Sequence, residues 1–176
     1  MSSKKRIIIA ILCIIGLILS IDLVYIYIKT SFLSGAPKSF CSINSFIDCD
    51  GVAQTDKAFF LGVPLAIWGV ILYLLFLFLN FVDKIREKIN FPLLNVFKNP
   101  SSYIATIGLF SFCVSISLAC ISLFNIHKIC ILCFMTYFIN FFIALVAVKK
   151  DFFITDIKNT IVDFIQGAKE YTTLFL

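Results

Sequence analysis

The sequence predicts an all-α polytopic membrane protein: a four-transmembrane-helix bundle with an outward lid loop and a C-terminal amphipathic surface helix. Of its 176 residues, 61% are hydrophobic and 14% are charged, whereas soluble domains carry about 25% charged residues. Four apolar stretches each approach the roughly 20 residues that cross a bilayer. They lie at 7–28, 62–82, 103–124 and 129–148. Residues 1–148 therefore form one membrane domain, and 149–176 follow as a cytoplasmic tail.

The placement of Lys and Arg predicts the topology. Eleven of the 15 basic residues precede the first stretch, lie between the second and third, or follow the fourth. Because cytoplasmic segments are enriched in basic residues, we expect both termini inside, with loop 29–61 and residues 125–128 outside. The basic excess is then a topology signal, and nucleic acid is not an expected partner.

The first stretch and the loop after it are the next elements. The apolar run continues to Ile28, which is long for a cleaved signal peptide, so we expect a retained span. Ser, Gly and Pro between 31 and 39 end the helical pattern, and loops this long are commonly functional. We expect loop 29–61 to act as an outward lid with a short helix around 42–47. Its apolar side chains should fold onto the helix ends. They are Phe40, Ile43, Phe46, Ile47, Val52, Phe59, Phe60 and Leu61.

The remaining elements follow from turn and helix signals. Gly62 to Pro64 should open the second span, with Pro64 in the first helical turn. Only residues 125–128 join the third and fourth spans, so these must be antiparallel neighbours. Apolar residues recur on one helical face of 151–176, which predicts an amphipathic helix on the inner membrane surface.

Four of the seven cysteines are expected at the outward surface. Cys41 and Cys49 lie in the lid, and Cys130 and Cys133 form a CxxC at the start of the fourth span. A helix N-terminus stabilises a thiolate, and this spacing brings both sulfurs to one face. A redox relay, a static disulfide in the loop and a four-cysteine zinc site all remain open. The other three are interpreted as small buried hydrophobes: Cys13, Cys113 and Cys120.

Helical spacing places Cys130, Cys133, Tyr137 and Asn140 within an arc of about 80°. A polar Asn inside a span should face the bundle interior, so this stripe is predicted to line a cavity beside Phe134. A dithiol, a phenol and an amide in an aromatic pocket suit a quinone. The alternative is that Tyr137 and Asn140 only join helices through hydrogen bonds.

These residues resemble the bacterial form of the vitamin K epoxide reductase family. The pattern is Cys41-x7-Cys49, Thr55, Gly62-Val63-Pro64, Gly69, Tyr73 and the run from Cys130 through Cys133 and Tyr137 to Asn140. The resemblance covers about residues 7–148. It implies a four-helix bundle around a quinone, with the loop as a lid and no metal.

The resemblance also implies a role for each outward cysteine. Cys41 would exchange with a thioredoxin-like partner, and Cys49 would pass electrons to Cys130. Cys133 would face the quinone and form the charge-transfer species with it. The acceptor would be ubiquinone or menaquinone in a bacterial inner membrane.

Two further matches and two departures refine this expectation. Thr55 matches the loop hydroxyl of the family, and Tyr137 matches its tyrosine near the quinone. Leu65 stands where vertebrate members have an asparagine for vitamin K, so epoxide reduction is not expected. The chain stops at Leu176 without the fused thioredoxin-like domain of many bacterial members, so a separate periplasmic, DsbA-type partner is expected.

Other functions remain alternatives. A small proton-coupled transporter would use Asp22, a carboxylate inside the first span. A non-catalytic membrane scaffold would use the cysteines only for structural disulfides. The other quinone-coupled family, the DsbB type, has its CxxC in the first outward loop and its wider pair in the second, the reverse of the order here.

Overall fold

The computed structural model describes residues 3–33, 37–88 and 99–148, together with four residues of the tail. Between residues 3 and 148, the described residues form five α-helices, a 3-10 turn, a π turn and one β-hairpin. The helices are α1 (Ser3–Phe32), α2 (Cys49–Ala53), α3 (Leu65–Lys88), α4 (Pro100–Ile121) and α5 (Ile131–Ala147). The 3-10 turn is Asp56–Ala58, the π turn is Ser122–Ile126, and the hairpin pairs β1 (Phe59–Phe60) with β2 (Val63–Pro64) in antiparallel fashion.

Among the described residues, three helices are long and apolar enough to cross a membrane. They are α1, α3 over Leu65–Ile85, and α4 with its π turn over Pro100–Ile126. The fourth predicted span corresponds to α5, which is apolar but has 17 residues, the lower end of the range for spanning helices. The protein is mostly helical, as predicted.

Small residues allow the bundle helices to approach closely. A Cβ added to Gly16 of α1 would collide with the ring of Tyr73 on α3, and one added to Gly108 of α4 would lie 3.4 Å from the backbone of Ala144 on α5. Close approach through small residues is a common way to pack membrane helices. The buried core between the four helices is apolar. It includes Ile9, Cys13, Phe76, Leu79, Ile104 and Ile143.

Polar contacts join the helix ends on one side of the bundle. Arg6 forms an ion pair with Asp83, and the Asn80 side-chain amide donates to the carbonyl of Arg6 at 2.9 Å. The Lys5 ammonium donates to the carbonyl of Val148 at 3.4 Å. The start of α1 and the ends of α3 and α5 therefore lie together, as an alternating up-and-down bundle requires.

The lid differs from the prediction in two places. The predicted helix around 42–47 is wrong, because Asn44 Oδ1 accepts the backbone N–H of Phe46 and of Ile47, at 2.9 and 2.7 Å. Side-chain acceptors of this kind compete with helix formation. The short helix is α2 instead. Pro64 ends the hairpin and does not begin the helix, since α3 starts at Leu65.

Several apolar side chains are more exposed than predicted. Phe40 is 75% exposed, Ile43 67% and Leu61 79%, so the lid buries its cysteines and leaves these side chains outside. Leu61 and Gly62 turn the hairpin with φ values of 54° and 75°. Two cysteines expected to be buried lie on the exposed surface of α4. They are Cys113 and Cys120.

The predicted amphipathic helix of residues 151–176 lies outside the described residues apart from four positions. These four are helical and exposed: Lys158, Ile161, Val162 and Ile165.

Candidate functional site

The two lid cysteines form a disulfide. Cys41 and Cys49 are bridged with their Cα atoms 5.7 Å apart. Both are almost completely buried, at 2% and 1% exposure. The bond therefore lies beneath the lid surface, out of direct contact with solvent.

Asp48 attaches α2 to the bundle. It caps the helix by accepting the Gly51 N–H at 3.0 Å, and its other carboxylate oxygen lies 2.6 Å from the Lys128 ammonium. The backbone adds a second attachment, because the Asp48 N–H donates to Ile129 at 3.0 Å and the Ile129 N–H donates to Phe46 at 2.7 Å. Residues 46–48 are thus fixed against the segment that leads into α5.

The electrostatics of Asp48 agree with this attachment. Burial alone raises its pKa, but hydrogen bonds from Lys128 and the Gly51 N–H outweigh burial and hold the pKa below the usual range. A carboxylate that is stabilised in this way remains charged at neutral pH.

Asp50, directly after Cys49, contacts the turn that carries Cys41. The Ser39 N–H donates to Asp50 Oδ2 at 2.8 Å, and the Asp50 N–H donates to the Ser42 hydroxyl at 3.1 Å. Burial raises the pKa of Asp50, but the hydrogen bonds from Ser39 and Ser42 bring it below the usual range. Asp50 Oδ1 is buried without a hydrogen-bond partner among the described residues.

The CxxC pair lies at the start of α5. Cys130 is the N-cap residue, and its sulfur accepts the Cys133 N–H at 3.3 Å. Cys130 is buried, Cys133 is half-buried, and neither is in a disulfide. Cys130 also packs in one buried cluster with Cys41 and Cys49. The lid pair and the CxxC pair therefore lie side by side without any movement of α2.

A cavity of about 450 Å³ lies beneath the lid, within the size range of small-molecule sites. Cys49, Cys130 and Cys133 all line it. Of the other predicted site residues, Cys41 is not in the lining, and four reach it: Thr55, Phe134, Tyr137 and Asn140. Most of the wall is apolar, from α1, α3, α4 and α5.

One side of the cavity faces the outside of the bundle between α3 and α4. Five apolar lining residues of α3 and α4 are also substantially exposed, from 36% for Leu75 to 70% for Phe110. They are Trp68, Ile71 and Leu75 on α3, and Phe110 and Val114 on α4. In a membrane, this side of the cavity faces lipid.

A buried polar network crosses the cavity wall. The Tyr73 hydroxyl donates to Asn140 Oδ1 at 3.0 Å, and the Asn140 amide donates to the Ser115 hydroxyl at 3.0 Å. Ser115 in turn donates to the carbonyl of Ser111 at 2.8 Å. Asn140 thus joins α3, α4 and α5, which is the helix-joining role that the sequence left open beside quinone binding.

Two predicted residues have local contacts at the cavity. The Thr55 hydroxyl donates to the carbonyl of Val52 at 2.8 Å and closes the turn after α2. The Phe134 ring lies 6.2 Å from the ring of Tyr137. Asp48, Asp50, Lys128 and Ser115 were not identified from the sequence, although Asp-Cys-Asp-Gly at 48–51 is a recognisable helix-start signal.

The arrangement of two cysteine pairs at one end of a membrane bundle agrees with a family comparison. The model of the vitamin K epoxide reductase family matches residues 7–148. The chain belongs to the vitamin K epoxide reductase family. A comparison with curated proteins gave no match. Membership implies a membrane thiol–disulfide oxidoreductase, and it confirms the resemblance found in the sequence.

The zinc alternative loses support at this site. The disulfide uses two of the four thiolates that a four-cysteine zinc site requires. Among the described residues, no group of three or more His, Cys, Asp or Glu is arranged to hold a metal ion.

Proposed function

We propose that this protein is a membrane thiol:quinone oxidoreductase that reoxidises a thioredoxin-like disulfide-forming protein and passes the electrons to ubiquinone or menaquinone. The observation that carries the proposal is that Cys49, Cys130 and Cys133 all line one apolar cavity beneath the lid. Membership of the vitamin K epoxide reductase family supports the thiol–disulfide part of this activity.

The first half of the cycle is thiol–disulfide exchange. A thiolate of the partner bonds to Cys41 Sγ, the Cys41–Cys49 bond breaks, and its electron pair leaves on Cys49 Sγ. Cys49 then bonds to Cys130 Sγ of an oxidised Cys130–Cys133 pair, and Cys133 leaves as a thiolate. Cys49 is buried beside Cys130, which supports Cys49 as the residue that makes this transfer.

The second half restores the lid disulfide. The partner's second thiolate attacks the mixed disulfide, which releases oxidised partner and the Cys41 thiolate. Cys41 then bonds to Cys49 Sγ and displaces the Cys130 thiolate. The bridged Cys41–Cys49 and free Cys130 and Cys133 of the structure correspond to the end of this sequence.

The cavity suits the acceptor. When bound, a quinone would accept two electrons and two protons as Cys130 and Cys133 form their disulfide, so each cycle would transfer one electron pair from the partner dithiol to the quinone. The apolar wall excludes water from the thiolates, and the lipid-facing side between α3 and α4 supports entry of an apolar tail from the bilayer. Tyr137 and Phe134 supply aromatic faces to the ring, and Tyr137 and Asn140 its polar contacts.

The proposed location is a bacterial inner membrane, with both termini cytoplasmic and the lid on the periplasmic side. The basic excess before α1 and after α5 supports this orientation. We propose α5 as the fourth span because it packs against both α1 and α4 along the bundle. The partner is a separate periplasmic protein.

The experiment that tests the function is a thiol count on the purified, fully reduced chain before and after addition of a ubiquinone or menaquinone analogue. We expect four of the seven thiols to be lost, mapped to Cys41, Cys49, Cys130 and Cys133, and no loss in Cys133→Ser. Cys113→Ser, on the exposed surface of α4, is the matched control. No quinone-dependent loss in wild type would overturn the proposal in favour of structural disulfides.

The transporter alternative has no comparable support. Asp22, its required carboxylate, is not among the residues that line the cavity. A scaffold whose disulfides are only structural would not pass electrons to quinone. The thiol count detects quinone-dependent loss of thiols and therefore separates a scaffold from the proposed enzyme.

A further inference from the structure

The lid consists of a fixed part and a separate turn, and the two cysteines of its disulfide lie in different parts. The fixed part is α2 with Cys49, attached by Asp48 to Lys128 and to the backbone of Ile129. These attachments do not involve Cys41. They remain in place when the disulfide opens.

The turn that carries Cys41 has a different set of contacts. The Ser42 N–H donates to the carbonyl of Ser39 at 2.9 Å within the turn. Two hydrogen bonds connect the turn to α2, and Asp50 takes part in both. Its carboxylate accepts the Ser39 N–H at 2.8 Å, and its backbone N–H donates to the Ser42 hydroxyl at 3.1 Å. Asp50 thus contacts the turn on both sides of Cys41.

Access to the disulfide requires this turn to move. The incoming thiolate must reach Cys41 Sγ in line with the Cys41–Cys49 bond, but Cys41 is only 2% exposed. Because α2 is attached to the bundle, displacement of the Cys41 turn is the smallest movement that uncovers the sulfur. Asp50 makes the hydrogen bonds that hold the turn against α2. The Ile43 and Asn44 N–H groups donate to the Ile47 carbonyl at 2.9 and 3.2 Å and join the far end of the turn to the fixed residues 46–48.

We propose that Asp50 is a positioning residue that holds the Cys41 turn closed over the disulfide and sets how often a protein thiol reaches Cys41. This inference rests on the proposed function for the identity of the attacking thiol. The same contacts return Cys41 to within bonding distance of Cys49 after the bond has opened, since α2 and Asp50 stay in place.

The chemical step is the exchange already described. The partner's sulfur bonds to Cys41 Sγ, the Cys41–Cys49 bond breaks, and the electron pair leaves on Cys49 Sγ. Asp50 forms no bond in this step and takes no proton. Its contribution is to the frequency of the open state that precedes the step.

The test measures the reduction rate of Cys41–Cys49 in the purified full chain, without quinone. The probes are reduced thioredoxin, a protein dithiol, and dithiothreitol, a small one. We expect Asp50→Ala to increase the thioredoxin rate by about tenfold or more, the effect of losing one hydrogen bond to a charged group. The dithiothreitol rate should increase less, because a small reductant needs a smaller opening.

Matched variants make the result specific. Asp56→Ala removes an exposed lid carboxylate outside this turn and should leave both rates unchanged. Asp50→Asn retains an acceptor for the Ser39 N–H without the charge and should fall between wild type and Asp50→Ala. Ser42→Ala removes the hydroxyl that accepts from the Asp50 N–H. It should also increase the thioredoxin rate more than the dithiothreitol rate, and it tests the inference if Asp50→Ala fails to fold.

Wild-type rates in Asp50→Ala and Ser42→Ala would overturn the inference. So would an equal increase with both probes, because that result indicates general loosening of the fold. Neither reduction rate is measured with quinone present. If wild type showed no quinone-dependent thiol loss, the proposed function would be rejected, but the reduction rates that test Asp50 would be unaffected.

Discussion

At the scale of single residues, the four cysteines of the site differ in how they are held. Cys41, Cys49 and Cys130 are all buried in one cluster, but Cys41 lies in a turn, and Cys133 is half-buried at the cavity. Of the four, only Cys41 lies in the turn that we propose to open. Each cysteine should therefore respond differently to substitution.

Cys41→Ser should separate protein donors from small donors. We expect it to retain quinone reduction by dithiothreitol, which can reduce the CxxC pair directly, and to lose quinone reduction by a protein dithiol. Steady-state quinol formation with each donor measures this, with Cys113→Ser as the control. Equal failure with both donors would contradict the order of the relay.

Tyr73→Phe tests the buried polar network. The variant leaves Asn140 Oδ1 without its donor, and an unsatisfied buried acceptor costs about 1 kcal/mol in a membrane bundle. We expect a lower midpoint in thermal unfolding of the detergent-solubilised protein, whereas Tyr25→Phe, at a 65% exposed position, should unfold like wild type. An unchanged midpoint in Tyr73→Phe would show that the network adds no stability.

The shared position of the α5 site residues at one cavity could be predicted from the sequence, but their hydrogen-bond partners could not. Cysteine spacing and the period of a helix placed Cys130, Cys133, Tyr137 and Asn140 on one stripe. The hydrogen bond from Asn140 to Ser115 depends on how α4 is rotated against α5. An apolar helix with residues of similar hydrophobicity on every side carries no signal for that rotation.

At the scale of elements, the lid and α5 act as one unit because residues far apart in sequence join them. The Asp48 carboxylate and the Lys128 ammonium are 2.6 Å apart, and Ile47 pairs with Ile129 in a parallel bridge. Local sequence signals do not predict a pairing over such a separation. Neither α2 nor its attachment was therefore placed correctly from the sequence.

Reversal of the Asp48–Lys128 pair tests this attachment. Lys128→Glu places two carboxylates together, so we expect α2 to shift and electron transfer from Cys49 to Cys130 to slow by about tenfold or more, as small misplacements of reacting groups do. Quinol formation from a protein donor measures the effect. The double variant Asp48→Lys with Lys128→Glu should recover part of the rate, and no recovery would argue against an electrostatic attachment.

The lid carboxylates Asp48 and Asp50 also predict a pH dependence. Their pKa values are lowered in the folded lid, so they stabilise it fully above the unfolded aspartate pKa of about 3.9. That stabilisation is lost as the pH falls through the lower folded values. Limited proteolysis of the lid with an acid-tolerant protease should show constant protection from pH 8 to 5 and increasing cleavage below about pH 4. Loss of protection between pH 7 and 6 would indicate a different group.

At the scale of the whole molecule, the sequence predicted the helical bundle and the family, because long apolar runs and paired cysteines are strong signals. It did not predict the size or the open side of the cavity. That opening arises where α3 and α4 are less closely packed than the other neighbouring helices. Such a difference depends on the relative tilt of helices and is not encoded in any one segment.

The single tryptophan of the chain reports on this cavity. Trp68 lines it and is 39% exposed, so a bound quinone should quench its fluorescence in a saturable way. Titration with a menaquinone analogue in detergent measures this. Ala119→Phe, which places a ring in the cavity, should weaken the saturable component, and quenching that is linear and equal in both proteins would contradict quinone binding there.

The length of α5 has a consequence for the membrane around the protein. Its 17 residues rise about 25 Å, less than the roughly 30 Å of a hydrocarbon core. In the orientation proposed above, the inner end of α5 is level with the start of α1, where Lys5 contacts Val148, so the shortfall in length falls at the outer end, beside the lid. We therefore expect the acyl-chain length of the surrounding lipid to act on closure of the lid.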